Sequence, residues 1–307
     1  MTGPIRLPSP LGAARRFAAY AGPSATRPST LLAAALVAAL AAPAPGRAEE
    51  AAPTAPPLVE DAAPNAMAEA SGYLIAGVGN VPSYVGSPDR RSTPFFITRF
   101  RRPRLEVSLE GLDWYLDALP SRVWRAGPTV SFELPRDEAV ATGAVAALDP
   151  LGYTASPGLY LGVELPNDLL PEGLASARVA WRTALGGARE GHALTVDVDY
   201  FFAPLFFWRV GAAANAVAVD GDWAGSRFDI GTAGAAASGL APHAARGGLY
   251  SVGASLYTIL SVSQRFGVFG RWAVSRLRGG AAASPIVRDA GREDQRFSGV
   301  GLFYLFR

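Results

Sequence analysis

The last segment of the chain, residues 295–306, alternates with a period of two, and this pattern constrains the fold more than any other stretch. Counting back from Phe306, every second residue (Tyr304, Leu302 and Val300) is large and apolar, and the intervening positions include two glycines. Such a strand, ending on an aromatic residue, is typical of the closing strand of an outer-membrane β-barrel. An edge strand of a soluble sandwich alternates in the same way, so the rest of the chain must decide. For a barrel, Tyr304 and Phe306 form the predicted insertion signal.

The composition excludes several classes of protein. Half of the 307 residues are hydrophobic and only 18% are charged, which is thin for a soluble surface. Five of the 28 arginines precede the first acidic residue, Glu49, which leaves 23 basic against 26 acidic groups, a formal net charge of −3. A nucleic-acid partner requires concentrated positive charge, so none is expected. Because the chain has no cysteine, disulfides, a thiolate nucleophile and a lipoprotein attachment site are excluded.

The first 48 residues have the organisation of a secretory signal peptide. An arginine-bearing region precedes a twelve-residue apolar run at 31–42, which is too short to span a bilayer because a span needs about 20 apolar residues. We predict cleavage after Ala48. The pair Arg15-Arg16 also allows a twin-arginine signal, although it lies far upstream of the apolar run. Residues 49–70 are rich in Ala and Pro and lack any period, and we predict a disordered periplasmic linker there.

From residue 71 to the end, short alternating segments are punctuated by Gly, Pro, Asp and Asn, as in an all-β fold. Bacterial barrels of one chain have an even number of strands. Gly111 divides residues 105–119 into two short halves, and a hairpin there gives twelve strands, with ten as the alternative. We therefore predict a transmembrane antiparallel up-and-down β-barrel over residues 71–307. The eleven segments are 72–80, 93–101, 105–111, 123–134, 156–165, 175–187, 192–202, 206–220, 248–261, 266–277 and 295–306.

Connection lengths indicate which end of the barrel faces the cell exterior. Counting strands back from the C-terminus assigns the long connections to one side and the short ones to the other, which is the rule for outer-membrane barrels. The predicted extracellular loops are 278–294, 221–247 and 135–155, and the predicted periplasmic turns are 262–265, 203–205 and 166–174. Aromatic residues near predicted strand ends suggest interfacial girdles; they are Trp114, Tyr115, Phe201, Phe202, Phe206, Phe207 and Trp208.

Several segments place charges on one face and apolar side chains on the other. A charge that faces lipid at mid-bilayer costs about 2 to 4 kcal/mol, so the charged faces are expected to point into the lumen. The predicted luminal rows comprise Arg178, Arg182, Asp197, Asp199, Glu106 and Glu110.

The turn between the predicted strands 175–187 and 192–202 determines which charged residues lie opposite one another. A turn centred just after Arg189 places Arg182 opposite Asp197. It also places Arg178 near Asp199. The rows either line a pore for charged solutes or pair with one another and fill a small barrel, and the second interpretation is favoured because about twelve strands leave little room.

The sequence offers no basis for catalysis or metal binding. Barrel hydrolases use a histidine as general base, and the only histidines here are His192, beside a predicted turn, and His243, in a loop. Neither has an evident Ser-His-Asp arrangement. No His or Cys pair has the spacing of metal ligands, and Asp137-Glu138 and Glu293-Asp294 fit solvated loop charges. We expect a non-enzymatic protein without a cofactor.

Several segments together resemble the MipA/OmpV family, the MltA-interacting proteins of Gram-negative outer membranes. The matches are GVG at 77–79, PSY at 82–84, GS at 86–87, Gly111 with WYL at 114–116, ASPIV at 283–287 and GVGLFYLF at 299–306. Two departures stand out. Members often have an aromatic-rich stretch after the tryptophan of the large late loop, whereas Trp223 is followed by an Ala/Gly run. The chain also ends in Arg307 rather than on the aromatic residue.

The resemblance implies an outer-membrane barrel that acts as a scaffold for murein synthesis. Its implied partners are outer-membrane lipid, a lytic transglycosylase and a bifunctional penicillin-binding protein. The alternative is a small-solute or antibiotic-responsive channel or an adhesin. Residues 284–287 either contact a partner or fold over the mouth of the barrel, and we favour the second.

Overall fold

The computed structural model describes residues 71–306 except 103, 104, 120, 138, 140, 142, 168 and 187. They form a closed barrel of twelve antiparallel strands, in which each strand pairs with the next and β1 pairs with β12. The strands are β1 Gly72–Pro82, β2 Arg90–Arg102, β3 Leu105–Glu110, β4 Asp113–Asp117, β5 Trp124–Glu133, β6 Thr154–Asn167, β7 Gly173–Thr183, β8 His192–Leu205, β9 Trp208–Val219, β10 Gly248–Ser261, β11 Phe266–Leu277 and β12 Asp294–Phe306.

The prediction of twelve strands is confirmed, including the short hairpin of β3 and β4. Gly111 lies at the turn of this hairpin with φ of 72°, a left-handed conformation that glycine adopts without the steric cost that a side chain brings. The strand count therefore depends on one glycine within a fifteen-residue stretch. The predicted signal peptide and linker lie outside the described residues and stay predictions.

The alternation of the closing strand reports the two faces of the barrel wall. Val300 and Leu302 in β12 point outward and are 60% and 71% exposed, whereas Phe303 and Leu305 point inward and are buried. Many other large apolar residues are exposed on the outer face of the strands. In the described part of the chain no helix has the length and apolarity to cross a membrane.

The register between β7 and β8 differs from the prediction by four residues. Arg178, not Arg182, lies opposite Asp197, while Arg182 pairs with Ala193. The turn centres earlier than expected because β7 ends at Thr183, and the chain reverses through residues with positive φ at Gly186 and Ala188. Since the shift is an even number of residues, the charged rows keep their predicted face.

The long connections gather at one end of the barrel, as predicted. Residues 134–153, 220–247 and 278–293 lie there, while the opposite end has the short turns and both ends of the barrel chain. The long connections carry a 3₁₀ helix and four short helices: Gly143–Ala147 (3₁₀), α1 Gly221–Phe228, α2 Thr232–Ser238, α3 Gly279–Ala283 and α4 Pro285–Arg288. Asp220 caps α1 by accepting a hydrogen bond of 2.8 Å from the Trp223 amide.

Candidate functional site: the lumen and the plug at its mouth

The long connections form a compact layer over the barrel mouth, here called the plug (residues 134–153, 220–247 and 278–293). Its helices and loops share an apolar core in which Phe228, Ile286 and Val287 are almost completely buried. Ser284 is also buried, and its hydroxyl donates a 2.9 Å hydrogen bond to the Phe228 carbonyl. The stretch at 284–287 therefore folds over the mouth, which was the favoured of its two predicted roles.

Buried arginines attach the plug to the end of the barrel wall. Arg227 of α1 binds Glu133 at the end of β5 and lies 3.7 Å from the centre of the Trp223 ring. Arg189, between β7 and β8, donates to the carbonyls of Gly152 (2.8 Å) and Leu134 (3.0 Å). These bonds join three connections, so the plug is held by directional contacts as well as by its apolar core.

One more plug arginine, Arg136, is buried without a carboxylate within ion-pair distance in the described part of the chain. Its Nη1 donates to the Arg227 carbonyl at 2.7 Å. Burial, together with the smaller effect of the nearby charge of Arg189, lowers the pKa of Arg136 to about 10. Burial likewise lowers the pKa of Arg189, against the opposing effect of Glu133. Backbone carbonyls thus compensate much of the positive charge in the plug.

Arg178 forms the central polar contact of the lumen. Its guanidinium makes two parallel hydrogen bonds to Glu110, at 3.1 and 2.9 Å, and its Nε lies 3.5 Å from Asp197. The guanidinium carbon also lies 3.9 Å above the centre of the Tyr115 ring. These contacts join β3, β4, β7 and β8 across the interior, so the predicted charges pair with each other.

A second ion-pair network lies nearer the short-turn end. Arg99 bonds both Glu106 and Glu164, while Arg101 Nε contacts Glu106 at 2.7 Å. Arg125 then contacts Glu164 at 2.9 Å and Asp117 at 3.2 Å. Sequence reasoning identified Glu106 but missed the other members, because their strands lack the regular alternation of charged and apolar residues that marks β3. The signal that could have identified the arginines and Glu164 is strand alternation: once the inward face is assigned on the C-terminal strand, the pairing of successive strands gives the inward positions of β2, β5 and β6.

Two predicted luminal residues have partners other than those expected. Arg182 donates to the Tyr115 hydroxyl at 2.7 Å and lies 3.6 Å from Asp113. Asp199 accepts a hydrogen bond from Ser176 in β7 and has no basic group within 4 Å in the described ranges. Both side chains face the lumen, but Asp199 lies outside the ion-pair networks.

Two of the aromatic residues assigned to the girdles face inward instead. Tyr115 is buried in the lumen beside Tyr160, with ring centroids 5.1 Å apart. Phe201 stacks on Tyr257 at 6.1 Å across β9, where Gly211 leaves room for the tyrosine ring. The prediction was wrong for Tyr115 and Phe201 because strand parity, rather than nearness to a strand end, decides which face a residue occupies.

An internal cavity of about 320 Å³ lies between two contrasting walls of the lumen. One wall carries the ion pairs, and the other is an apolar cluster that includes Ile75, Ile259 and Phe269. Arg271 lines this cavity, and in the described residues it has no carboxylate within 4 Å. Its one hydrogen bond is a 3.5 Å contact to Ser255. Sequence reasoning missed Arg271 because Arg271 is the only charged residue at a lumen-facing position of β11.

The histidines occupy structural positions. His192 stacks on Trp181 with ring centroids 5.2 Å apart, and His243 Nε2 lies 3.1 Å from the Gly280 carbonyl. Within residues 71–306, apart from the eight undescribed positions, neither imidazole hydrogen-bonds a carboxylate, and no cluster of three metal-binding side chains occurs.

The family described as MltA-interacting protein MipA matches residues 74–306, which is almost the whole barrel. The chain belongs to the MipA family. With a closed twelve-stranded barrel and an apolar outer surface, this MipA-family chain is a β-barrel protein of the Gram-negative outer membrane.

Solved structures similar to this MipA-family chain include a porin, an outer membrane channel and a toluene transporter. The NanC porin has 8% identity and a TM-score of 0.41, covering 76% of this chain and 98% of its own. An outer membrane channel from Pseudomonas putida F1 has 10% identity and a TM-score of 0.43, covering 77% and 96%. The toluene transporter TbuX of Ralstonia pickettii has 9% identity and a TM-score of 0.36, and the match covers 79% of this chain and 91% of the transporter. No curated protein matches the chain. The barrel assignment rests on the strand pairing itself.

Proposed function

We propose that this protein is a non-conducting barrel that serves as a scaffold in the outer membrane. The observation that carries the proposal is the plug, whose core residues Phe228 and Ile286 are buried to 2% and 0% exposure over the mouth of the barrel. A mobile loop that opens to admit solutes would lack such a core, since low-stability segments have few buried apolar contacts. Ion pairs across the lumen occupy further space beneath the plug.

The short-turn end offers a surface for a protein partner. Leu169 and Val262 are 83% and 71% exposed there, next to the exposed pair Phe206-Phe207. The turns lie side by side because the Ser261 amide donates to the Phe207 carbonyl at 2.8 Å, and the β8–β9 and β6–β7 ends are linked by an Arg209–Glu172 ion pair. A group of exposed apolar residues marks an interaction site.

The proposed partner class follows from the family. The family is described as interacting with MltA, and by resemblance its partners are a lytic transglycosylase and a bifunctional penicillin-binding protein. We place the contact at the short-turn rim and in the predicted linker at 49–70, because both face the periplasm in the predicted orientation.

A pull-down from detergent-extracted membranes tests the scaffold. The full-length protein is expected to recover a transglycosylase, and the double variant Leu169→Asp/Val262→Asp is expected to lose it. The matched control is Leu185→Asp, an equally apolar residue that is 58% exposed near the opposite mouth, which should leave recovery unchanged. The proposal is contradicted if the Leu169→Asp/Val262→Asp variant recovers the transglycosylase as well as the wild type does and the protein also conducts ions.

A second candidate function, passage of small solutes, is favoured by one observation. The luminal cavity is lined by Arg271 and Asp199, neither of which is in an ion pair in the described ranges. In planar bilayers, a conduit predicts conductance whose charge selectivity changes in Arg271→Ala. Arg182→Ala and Asp197→Ala should then also alter the conductance, because each removes a contact that fills the lumen. The scaffold predicts that bilayers remain tight with all four proteins, the wild type included.

A further inference from the structure

A basic groove lies on the outside of the barrel at the long-loop rim, between the β1–β2 loop and strands β11 and β12. Its volume is about 560 Å³. Four arginines and one tryptophan are among its lining residues: Arg90, Arg276, Arg292, Arg296 and Trp272. The groove is separate from the plug core and from the lumen, because Arg276 and Arg296 have the strand parity of the outer face.

Strand register places this groove at the level of lipid headgroups. Trp272 on β11 lies opposite Ser298 on β12. On the same outer face of β12, Val300 lies two residues further into the membrane, and Arg296 lies two residues closer to the rim. Two residues of a strand span about 7 Å. Trp272 is half exposed on the outer face, as expected for an aromatic residue at the membrane interface. Arg296 therefore lies just outside the apolar zone.

The four arginines of the groove differ in their hydrogen-bond and ion-pair partners. Arg276 pairs with Glu293 at 3.0 Å and with Asp294 at 3.7 Å. Arg90 is held in place by the carbonyls of Asn80 (2.8 Å) and Arg296 (3.0 Å). The guanidinium groups of Arg292 and Arg296 are exposed and make no hydrogen bond or ion pair to any described residue.

We propose that this groove binds the phosphate groups of a phosphorylated glycolipid of the outer leaflet. Four guanidinium groups face two carboxylates, so the groove carries excess positive charge, and the planar fork of arginine matches phosphate oxygens. The groove borders the apolar belt at Trp272 and Val300, along which acyl chains pack. A lipid uses both surfaces at once, whereas free phosphate uses only the first.

Binding to the purified, folded barrel in detergent tests the proposal, with bis-phosphorylated lipid A as the probe. The variant Arg292→Gln/Arg296→Gln is expected to bind at least about tenfold more weakly, because basic residues near a surface attract anionic lipid. The matched control, Arg122→Gln/Arg265→Gln, removes two exposed arginines at the opposite rim and should bind like the wild type. Both proteins must first show the wild-type heat-dependent shift on SDS gels.

The probe itself provides the second comparison. Fully dephosphorylated lipid A should bind the wild type no better than the Arg292→Gln/Arg296→Gln variant binds the intact lipid, and inorganic phosphate should not compete at millimolar concentration. The proposal is overturned if the two double variants weaken binding equally, if dephosphorylation has no effect, or if inorganic phosphate displaces the lipid. This outcome is independent of the scaffold, because the groove and the short-turn rim lie at opposite ends.

Discussion

Arg227 in the plug binds Glu133 in the barrel wall, although 94 residues separate them in the chain; the bond from Nε to Oε2 is 3.0 Å long. Arg227 is 5% exposed. The same carboxylate also lies 3.7 Å from Arg189. Glu133 is therefore the carboxylate on which two buried arginines depend, and it couples the closure of the mouth to the barrel.

Replacing Glu133 with Ala should open the plug. A buried arginine that loses its partner destabilises the fold by about 3 to 5 kcal/mol, which urea titration of the lipid-reconstituted barrel would detect as a lower free energy of unfolding. Protease cleavage within residues 220–247 should rise at the same time. The control is Glu293→Ala, whose partner Arg276 is half exposed, with an expected cost of about 0 to 1 kcal/mol. Equal costs for both would show that Glu133 does not hold the plug.

Arg178→Lys tests whether the lumen is braced by geometry or by charge alone. Lysine keeps the charge but cannot make both parallel bonds to Glu110. We expect a loss of about 1 to 2 kcal/mol in the free energy of unfolding. Arg276→Lys at the exposed rim should change it by less than about 0.5 kcal/mol. If both variants unfold at the same urea concentration, a point charge suffices in the lumen.

Gly211 is required by the packing of the lumen. A Cβ built there would lie 2.0 Å from Cζ of Tyr257, so Gly211→Ala should displace that ring from Phe201 and cost about 1 to 3 kcal/mol. Gly270→Ala is the control, since its Cβ would meet only the Thr258 methyl group at 3.4 Å. Near-ultraviolet circular dichroism should change in the first variant. An unchanged aromatic signal there would contradict the packing argument.

The free-energy cost of a charge on the outer face should depend on how deep the residue lies in the bilayer. Val300 is 60% exposed in the middle of β12, so Val300→Arg should cost about 2 to 4 kcal/mol in the free energy of folding into lipid vesicles. Val85→Arg introduces the same change in the β1–β2 loop, where Val85 is 49% exposed, and should cost less than about 0.5 kcal/mol. Similar costs at both sites would place β12 outside the bilayer.

The mature protein is expected to begin at Glu49. The predicted cleavage after Ala48 would remove the arginine-bearing segment, and the small residues Gly46 and Ala48 fit the small-x-small pattern of a signal peptidase site. Intact-mass spectrometry of protein purified from outer membranes measures this directly. A mass that includes Met1 contradicts the prediction, and a different start within 43–70 relocates the site.

Strand number, strand parity and the placement of long connections were predictable, because each depends on local alternation and on turn residues such as Gly111. The luminal direction of Glu106, Glu110 and Arg178 followed from the same parity. Pairing was harder to predict. The turn after β7 centres earlier than expected, so Arg178 rather than Arg182 lies opposite Asp197. The insertion role of Tyr304 and Phe306 stays a prediction, although both side chains lie on the outer face as such a role requires.

The sequence by itself determined the barrel, because a period of two repeated over twelve segments specifies which side chains face lipid and which face the lumen. Only the tertiary structure decided how that lumen is closed and filled. Arg227 and Glu133 meet, and Arg99 bridges Glu106 and Glu164, through contacts between residues far apart in the chain. Alternation is a local property of the backbone, whereas the pairing of charges depends on barrel closure and loop packing, which no local pattern encodes.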